Sequence, residues 1–271
     1  MSFLREKLTS NLSYISLSII SLFPVIIFLG SGILNFSIIL LDILFISEIL
    51  LKKNFKYFNN KFFYSFIFCW LILLINLNFS ISFYDSLPRS LGFLRFIFFV
   101  FAINYYLFET SNKYVNLIFK FWTIVFVIIS VDLIYEYFVG VNTLGFKSYM
   151  PGRLSGFFNQ ELKIGHLYSA FILICLSSIY LHLKDLKLKK INLSFDFIKN
   201  NLFYLILILF LFITIIIGER SNFIKTFIMT IMFLFIFEKK NILKKTTSII
   251  IGLFIIFFII INNADYKERF W

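Results

Sequence analysis

The chain consists of long apolar runs separated by short polar segments. Nine runs are close to the ~20 residues that a helix needs to cross the hydrocarbon core of a bilayer. Because each run is continuously apolar rather than alternating, the pattern predicts transmembrane helices and not a membrane β-barrel. The predicted spans are Leu12–Leu29, Gly32–Leu51, Phe62–Phe79, Leu91–Phe108, Val115–Val139, Leu162–Leu183, Leu202–Ile217, Asn222–Phe237 and Thr247–Ile261.

The pattern also predicts a single transmembrane domain over residues 1–271, because no linker, low-complexity segment or internal repeat interrupts the runs. Arg5 and Lys7 precede the first run, as basic residues precede the apolar part of a signal peptide. That run is long, however, a second follows at once, and no small-residue cleavage site is present, so we interpret it as a span. The expected fold class is an all-α, polytopic helix bundle.

The basic residues predict how this bundle is oriented, because lysines and arginines accumulate on the cytoplasmic side of a membrane protein. With the N-terminus inside, the inner segments are those near residues 5–7, 52–61, 113–120, 184–199 and 239–245. These segments hold most of the 26 lysines and arginines. We therefore predict a cytoplasmic N-terminus and a C-terminus on the outer, periplasmic face.

Composition excludes a water-soluble enzyme. Hydrophobic residues make up 60% of the chain and the mean hydropathy is +0.92, whereas a globular domain is about 45–50% apolar. The net charge of +12 would suggest nucleic acid in a soluble protein, but in a membrane protein its distribution matters more, and we expect no nucleic-acid partner. Cys69 and Cys175 both lie in apolar runs, so neither a disulfide framework nor a thiol–metal site is indicated.

The two types of basic residue are distributed differently across the predicted membrane. Most of the twenty lysines fall on the inner side, whereas five of the six arginines fall on the outer side, and these are Arg89, Arg95, Arg153, Arg220 and Arg269. The planar guanidinium group binds phosphate oxygens through two hydrogen bonds and stays charged when partly dehydrated. Outward arginines at the membrane interface therefore suit a lipid-anchored diphosphate. The alternative is that they pair with Asp85, Glu161, Glu219 and lipid headgroups.

Three outer segments contain these arginines, at residues 84–95, 151–161 and 218–222. In the first, a loop is expected to enter the fourth span, which places Arg95 about one helical turn into the membrane, where a charge marks a functional candidate. The third segment is so short that its flanking helices must form a tight hairpin. This brevity holds Arg220 at the surface beside the amide groups of a helix start, which favour anions.

The sequences of these segments resemble the O-antigen ligase/polymerase family. The resemblance rests on Arg-Ser-x-Gly-Phe-x-Arg at 89–95, Arg-Leu-Ser-Gly-Phe-Phe-x-x-Glu-Leu at 153–162 and Gly-Glu-Arg-Ser at 218–221, with Asp-Leu-Ile-Tyr-Glu-Tyr-Phe-Val-Gly at 132–140 before the second. Their order and spacing also fit, over nearly the whole chain.

This resemblance implies a glycosyltransferase of the bacterial inner membrane that requires no metal, nucleotide sugar or other cofactor. The donor would be an oligosaccharide linked to undecaprenyl diphosphate. The acceptor would be lipid A-core, for a ligase, or a second lipid-linked glycan, for a polymerase. Residues that match Arg153 and Arg220 are thought to hold the diphosphate in that family, and Arg89 and Arg95 are further candidates for the same role.

The chain departs from the family pattern after its last predicted span. Ligases of this type carry a large periplasmic loop with a functional histidine and further spans, so the sequence is expected to be a truncated form that is inactive alone. For the general base, Glu161 and Glu219 are the candidates, although either could instead pair with an arginine. His166, just inside the outer end of the sixth span, is expected to be a hydrogen-bonded helix histidine, with a catalytic role as the alternative.

Other charged residues in the spans leave several interpretations open. Asp132 and Glu136 share a helix face and could pair with an arginine, bind sugar or meet interfacial water. Asp42, near the middle of the second span, is expected to have a structural role. A transporter or flippase of lipid-linked oligosaccharide is the alternative function, although such proteins often show repeats and charges deep in a cavity. An inactive fragment of the glycosyltransferase is a third interpretation.

Overall fold

The computed structural model describes residues 2–108, 112–158, 161–188 and 194–237, together with single positions between 246 and 258. All regular structure in these residues is helical, and no strand occurs among them. The α-helices are α1 (Ser2–Ile26), α2 (Ser31–Lys52), α3 (Lys61–Asn76), α4 (Phe83–Gly92), α5 (Leu94–Phe108), α6 (Asn112–Val139), α7 (Ile164–Leu188), α8 (Ser194–Ile216) and α9 (Arg220–Phe237).

Six helical segments in this part of the chain are long and apolar enough to cross a membrane. They are Lys7–Leu29, Ser31–Lys52, Lys61–Phe79, Phe83–Phe108, Tyr114–Val139 and Ile164–Leu183, and a shorter apolar helix follows at Leu202–Ile216. The predicted all-α class is thereby confirmed for the described residues, with six candidate membrane-spanning helices. The ninth predicted span, Thr247–Ile261, lies almost entirely outside the described residues.

The chain divides into two compact units, Met1–Ile118 and Phe119–Trp271. In the first unit, α2 packs against α1 and α5, and the fully buried ring of Phe45 lies among aromatic neighbours. The Tyr105 ring centroid is 5.6 Å from that of Phe45, and those of Tyr57 and Phe58 are each 6.1 Å away. The prediction of a single domain stays a prediction.

A buried carboxylate joins three helices of the first unit. Glu48 on α2 is fully buried, and its Oε1 accepts hydrogen bonds from Ser13 Oγ of α1 at 2.7 Å, Lys52 Nζ at 2.6 Å and Tyr105 OH of α5 at 2.8 Å. Water is scarce at such a position, so a polar group must find its partners within the protein. The contacts to Oε1 thus link the three helices, while Oε2 of the same carboxylate is buried without a hydrogen-bond partner among the described residues.

The segment before α5 differs from its prediction as an entering loop, because the chain is already helical from Phe83 and Arg89 therefore lies on α4. Pro88 has no N–H and removes one helical hydrogen bond, and the helix is interrupted at Phe93 between α4 and α5. The indole of Trp70 donates to the Ser90 carbonyl at 2.9 Å. A tertiary contact therefore satisfies a carbonyl at the break.

The second unit contains most of α6 with α7, α8 and α9, and α7 packs against both α8 and α9. Tyr168 is fully buried in its core. The Tyr168 ring centroid lies 4.3 Å from that of Phe126, and its hydroxyl is 3.1 Å from Ser130 Oγ. This core supports the loop between α6 and α7 and the turn between α8 and α9, which meet at one end of the unit.

Candidate functional site

The loop that joins α6 to α7 is held in place by buried side chains of α6. Helix α6 ends where Gly140, with φ 84°, donates its N–H to the Glu136 carbonyl at 2.8 Å, a left-handed helix end that glycine adopts without strain. The Glu136 carboxylate accepts from the N–H groups of Ser155 at 2.9 Å and Gly156 at 2.8 Å, and from Ser155 Oγ at 3.1 Å. Glu136 therefore fixes the far end of the loop.

Two further polar residues fix the near end of the same loop. Asp132 Oδ1 accepts from the Thr143 N–H at 2.9 Å and from Thr143 Oγ1 at 2.6 Å. The buried Asn142 donates to the Gly156 carbonyl at 2.6 Å and accepts from the Phe146 N–H at 2.8 Å. The Asp132 and Glu136 carboxylates therefore both bind the loop. This role differs from the three that the sequence left open, which were pairing with an arginine, binding sugar and contact with interfacial water.

The turn between α8 and α9 packs against this loop. It comprises only residues 217–219, and Gly218, with φ 79°, donates its N–H to the Ile215 carbonyl at 2.8 Å. The Leu154 N–H donates to the Ile217 carbonyl at 3.3 Å. A Cβ at Gly218 would collide with the carbonyl group of Gly152. The loop and the tight hairpin therefore approach so closely that only glycine fits at this position.

Glu219 and Arg153 form an ion pair across this contact. Arg153 Nη2 donates to Glu219 Oε1, and the amide of Asn222 donates to Glu219 Oε2. Glu219 is only 8% exposed and directly precedes α9, where the helix dipole favours a negative charge. A Cβ on Gly165 of α7 would lie 2.6 Å from the carboxyl carbon of Glu219. The absence of a side chain at Gly165 thus makes room for the carboxylate.

A cavity of about 820 Å³ opens beside this ion pair. Ligand cavities are commonly about 300–1,000 Å³. The guanidinium groups of Arg153 and Arg220 and the carboxylate of Glu219 give the lining a net charge of +1 when His166 is neutral. The lining residues are Met150, Arg153, Leu162, His166, Gly218, Glu219, Arg220 and Ser221.

Arg153 keeps hydrogen-bonding capacity toward an additional ligand. Its side chain is 22% exposed, its Nη2 is bound to Glu219, and its Nη1 lies 3.9 Å from the Met150 sulfur, which is a weak acceptor. Its Nε is buried and has no hydrogen-bond partner among the described residues. The carboxylate therefore holds one edge of the guanidinium group, while Nη1 remains available to an anion.

Of the six predicted site residues, three meet at this cavity, namely Arg153, Arg220 and Glu219. Glu161 does not line it, because its side chain is exposed and pairs with Lys163 at 2.6 Å. Its predicted role as the base stays a prediction without support from this geometry.

Arg89 and Arg95 belong to the first unit. Arg89 is exposed on α4, whereas Arg95 is half-buried on α5 and its guanidinium carbon lies 4.8 Å from the Phe96 ring centroid. Arg95 also lies within electrostatic reach of the buried Asp42. Arg269, the remaining arginine that is predicted to face outward, is outside the described residues.

Several residues of the site were missed in the sequence. No sequence motif marks Gly165 or Asn222 as part of a site. Both matter because they contact the Glu219 carboxylate in the folded chain. His166 lies on α7, as expected, and it also lines the cavity. The available signal is that His166 lies four residues after Leu162 at the end of the arginine motif, and this places it in the first turn of α7.

No protein-family model, curated protein or solved structure matches the chain. Within the described residues, no group of three or more His, Cys, Asp and Glu side chains is arranged to hold a metal ion. In the part of the chain that the structure describes, the fold is all-helical with six candidate membrane spans, and a cationic cavity lies at one end of its second unit.

Proposed function

We propose that the chain is a glycosyltransferase of the O-antigen ligase/polymerase type. It transfers an oligosaccharide from undecaprenyl diphosphate to lipid A-core or to another lipid-linked glycan, at the periplasmic face of the bacterial inner membrane. The fixed guanidinium group of Arg153 carries this proposal, because it lines a cavity with Arg220 and keeps donors that no described residue uses.

In this reaction, the acceptor hydroxyl oxygen attacks C1 of the donor sugar. The bond from C1 to the diphosphate oxygen breaks, and its electron pair stays on the departing diphosphate. Arg153 and Arg220 stabilise the charge that develops there. Removing one such positioned donor costs about 2.7–4 kcal/mol of transition-state stabilisation in a comparable site.

Glu219 acts in this proposal as a positioning residue. Its two oxygens accept from Arg153 and from Asn222, and these contacts fix the position of the guanidinium group. His166 is the remaining acid–base side chain in the cavity lining. We therefore assign the proton to His166 rather than to Glu161, whose carboxylate pairs with Lys163.

The proposal includes nine spans, with the N-terminus in the cytoplasm and the C-terminus in the periplasm. A reporter that is active only in the periplasm should be active after Asn142 or Gly218 and silent after Asn54 or Lys187. A silent reporter at Gly218 together with an active one at Lys187 would place the cavity on the cytoplasmic face and remove the proposed substrate.

The function is tested by placing Arg153→Lys and Arg220→Lys separately in the native gene. Lysine keeps the charge but loses the two-pronged geometry of the guanidinium group, so long cell-surface glycans should decrease on a gel by about tenfold or more. This is less than the loss of about 100–1,000-fold for outright removal of a donor, because the lysine ammonium group still donates. Immunoblots of the membrane fraction should show unchanged protein. Lys163→Gln, outside the cavity, is the control. Normal glycan length in both lysine variants would contradict the diphosphate role.

A further inference from the structure

A second, smaller cavity of about 210 Å³ lies in the same unit, between the last turn of α6 and the loop that follows it. It shares Met150 and Arg153 with the larger cavity. The Arg153 side chain therefore lies in a wall common to both. The lining residues are Glu136, Tyr137, Gly140, Lys147, Ser148, Met150, Pro151, Gly152, Arg153 and Leu154.

The walls of this smaller cavity are preformed. Glu136 binds the backbone at the end of the loop, the Arg153 N–H donates to the Met150 carbonyl at 3.2 Å, and Ser148 Oγ donates to the same carbonyl at 3.2 Å. A ligand would enter without first ordering the loop, and preorganisation of this kind lowers the cost of binding.

The lining combines one aromatic ring with dispersed polar groups. The Tyr137 ring is half-buried, with its centroid 5.2 Å from that of Phe138 and 6.4 Å from that of Phe212. Lys147 provides an ammonium group and Ser148 a hydroxyl group, while the Glu136 carboxylate is already satisfied by backbone donors. An apolar ring face with a few placed polar groups is suited to a ligand that has both C–H surface and hydroxyls.

The volume limits the ligand to a small one. The cavity is below the range of about 300–1,000 Å³ that holds drug-sized molecules, so a single ring is the appropriate size. We propose that the smaller cavity binds one pyranose ring of a glycan, next to a diphosphate bound at Arg153 and Arg220. This inference rests on the proposed function and identifies a sugar subsite for it. The ring could belong to the donor or to the acceptor, which share this chemistry.

The test compares two probes on the purified protein by titration calorimetry. One is farnesyl diphosphate, and the other is farnesyl diphosphate that carries one N-acetylglucosamine residue. If the cavity binds the sugar ring of the donor, the probe with N-acetylglucosamine should bind about tenfold more tightly than farnesyl diphosphate. Tyr137→Ala and Lys147→Ala should each remove most of this gain and leave the affinity for farnesyl diphosphate unchanged. Lys147 is exposed, so its substitution should not affect folding.

Matched controls are Tyr135→Ala, an exposed tyrosine on the same helix, and Lys163→Ala, because neither residue lines the cavity. If the ring is the acceptor's, the linked sugar brings no gain, but free N,N′-diacetylchitobiose should bind the complex with farnesyl diphosphate and fail to bind either variant. Sugar binding that is unchanged in Tyr137→Ala and Lys147→Ala overturns the inference alone. Absence of farnesyl diphosphate binding to the unsubstituted protein overturns the proposed function and this subsite with it.

Discussion

Gly165 at the start of α7 is the position where one methyl group should disturb the ion pair most directly. A Cβ there would lie 2.6 Å from the Glu219 carboxyl carbon and 3.1 Å from Asn222 Nδ2. Overpacking of this kind costs about 1–3 kcal/mol, while alanine gains about 0.8–1 kcal/mol over glycine within a helix. Gly165→Ala should therefore lower the free energy of unfolding by about 0–2 kcal/mol. It should also displace Glu219 from Arg153.

The assay is reversible unfolding in detergent, measured by circular dichroism, together with farnesyl diphosphate binding. Gly32→Ala on α2 is the matched control, because a Cβ there meets nothing within 4 Å and should stabilise the protein by up to about 1 kcal/mol. We expect Gly165→Ala to be less stable than Gly32→Ala by about 1–3 kcal/mol and to bind farnesyl diphosphate more weakly.

A double-mutant cycle separates this cause from general disruption. In a Glu219→Ala background, the carboxylate that blocks the methyl group is absent, so Gly165→Ala should become neutral or stabilising. If Gly165→Ala costs the same with and without the Glu219 side chain, then contact with that carboxylate is not the reason for the cost, and the account of Gly165 is wrong.

The remaining predictions concern the buried polar contacts. Glu48→Leu should lower unfolding stability by about 1–3 kcal/mol, because its donors lose their acceptor, and the added change Lys52→Leu should recover part of this loss. Glu136→Ala should free the loop that it fixes, seen as faster proteolysis between residues 140 and 156, with stability of the first unit unchanged. Gly218→Ala should be destabilised more than Gly145→Ala, because the two glycines have similar φ values of 79° and 83° but a Cβ meets a backbone carbonyl only at Gly218; equal losses would contradict the steric argument.

The helices were predictable to within a few residues where apolar runs are long. The run Gly32–Leu51 corresponds to α2, Ser31–Lys52, because in a lipid solvent a continuous apolar run can satisfy its backbone only as a helix. The start of α4 was missed, since Phe83–Gly92 mixes polar residues and Pro88 with apolar ones. Local composition favoured a loop there, and the contact from Trp70 that supports the break is not visible in the sequence.

The candidate site was predictable only in its charges. The motifs that contain Arg153 and Arg220, and their predicted outward position, identified two cations of the cavity. The partner of Arg153 was one of two equivalent glutamates in the sequence, and only the approach of the hairpin to the loop selects Glu219 over Glu161. Asp132 and Glu136 illustrate the same limit, because their backbone partners are eleven to twenty residues away in sequence and are brought near by a folded loop.

Arg153 is proposed to form an anion site whose geometry suits a diphosphate. Calorimetric titration of the purified 271-residue protein with farnesyl diphosphate and with farnesyl monophosphate tests this proposal most directly. We expect the unsubstituted protein and Lys163→Gln to prefer the diphosphate, and Arg153→Lys to lose about tenfold or more of its diphosphate affinity with little change for the monophosphate. Equal affinity of Arg153→Lys and the unsubstituted protein for the diphosphate would contradict it.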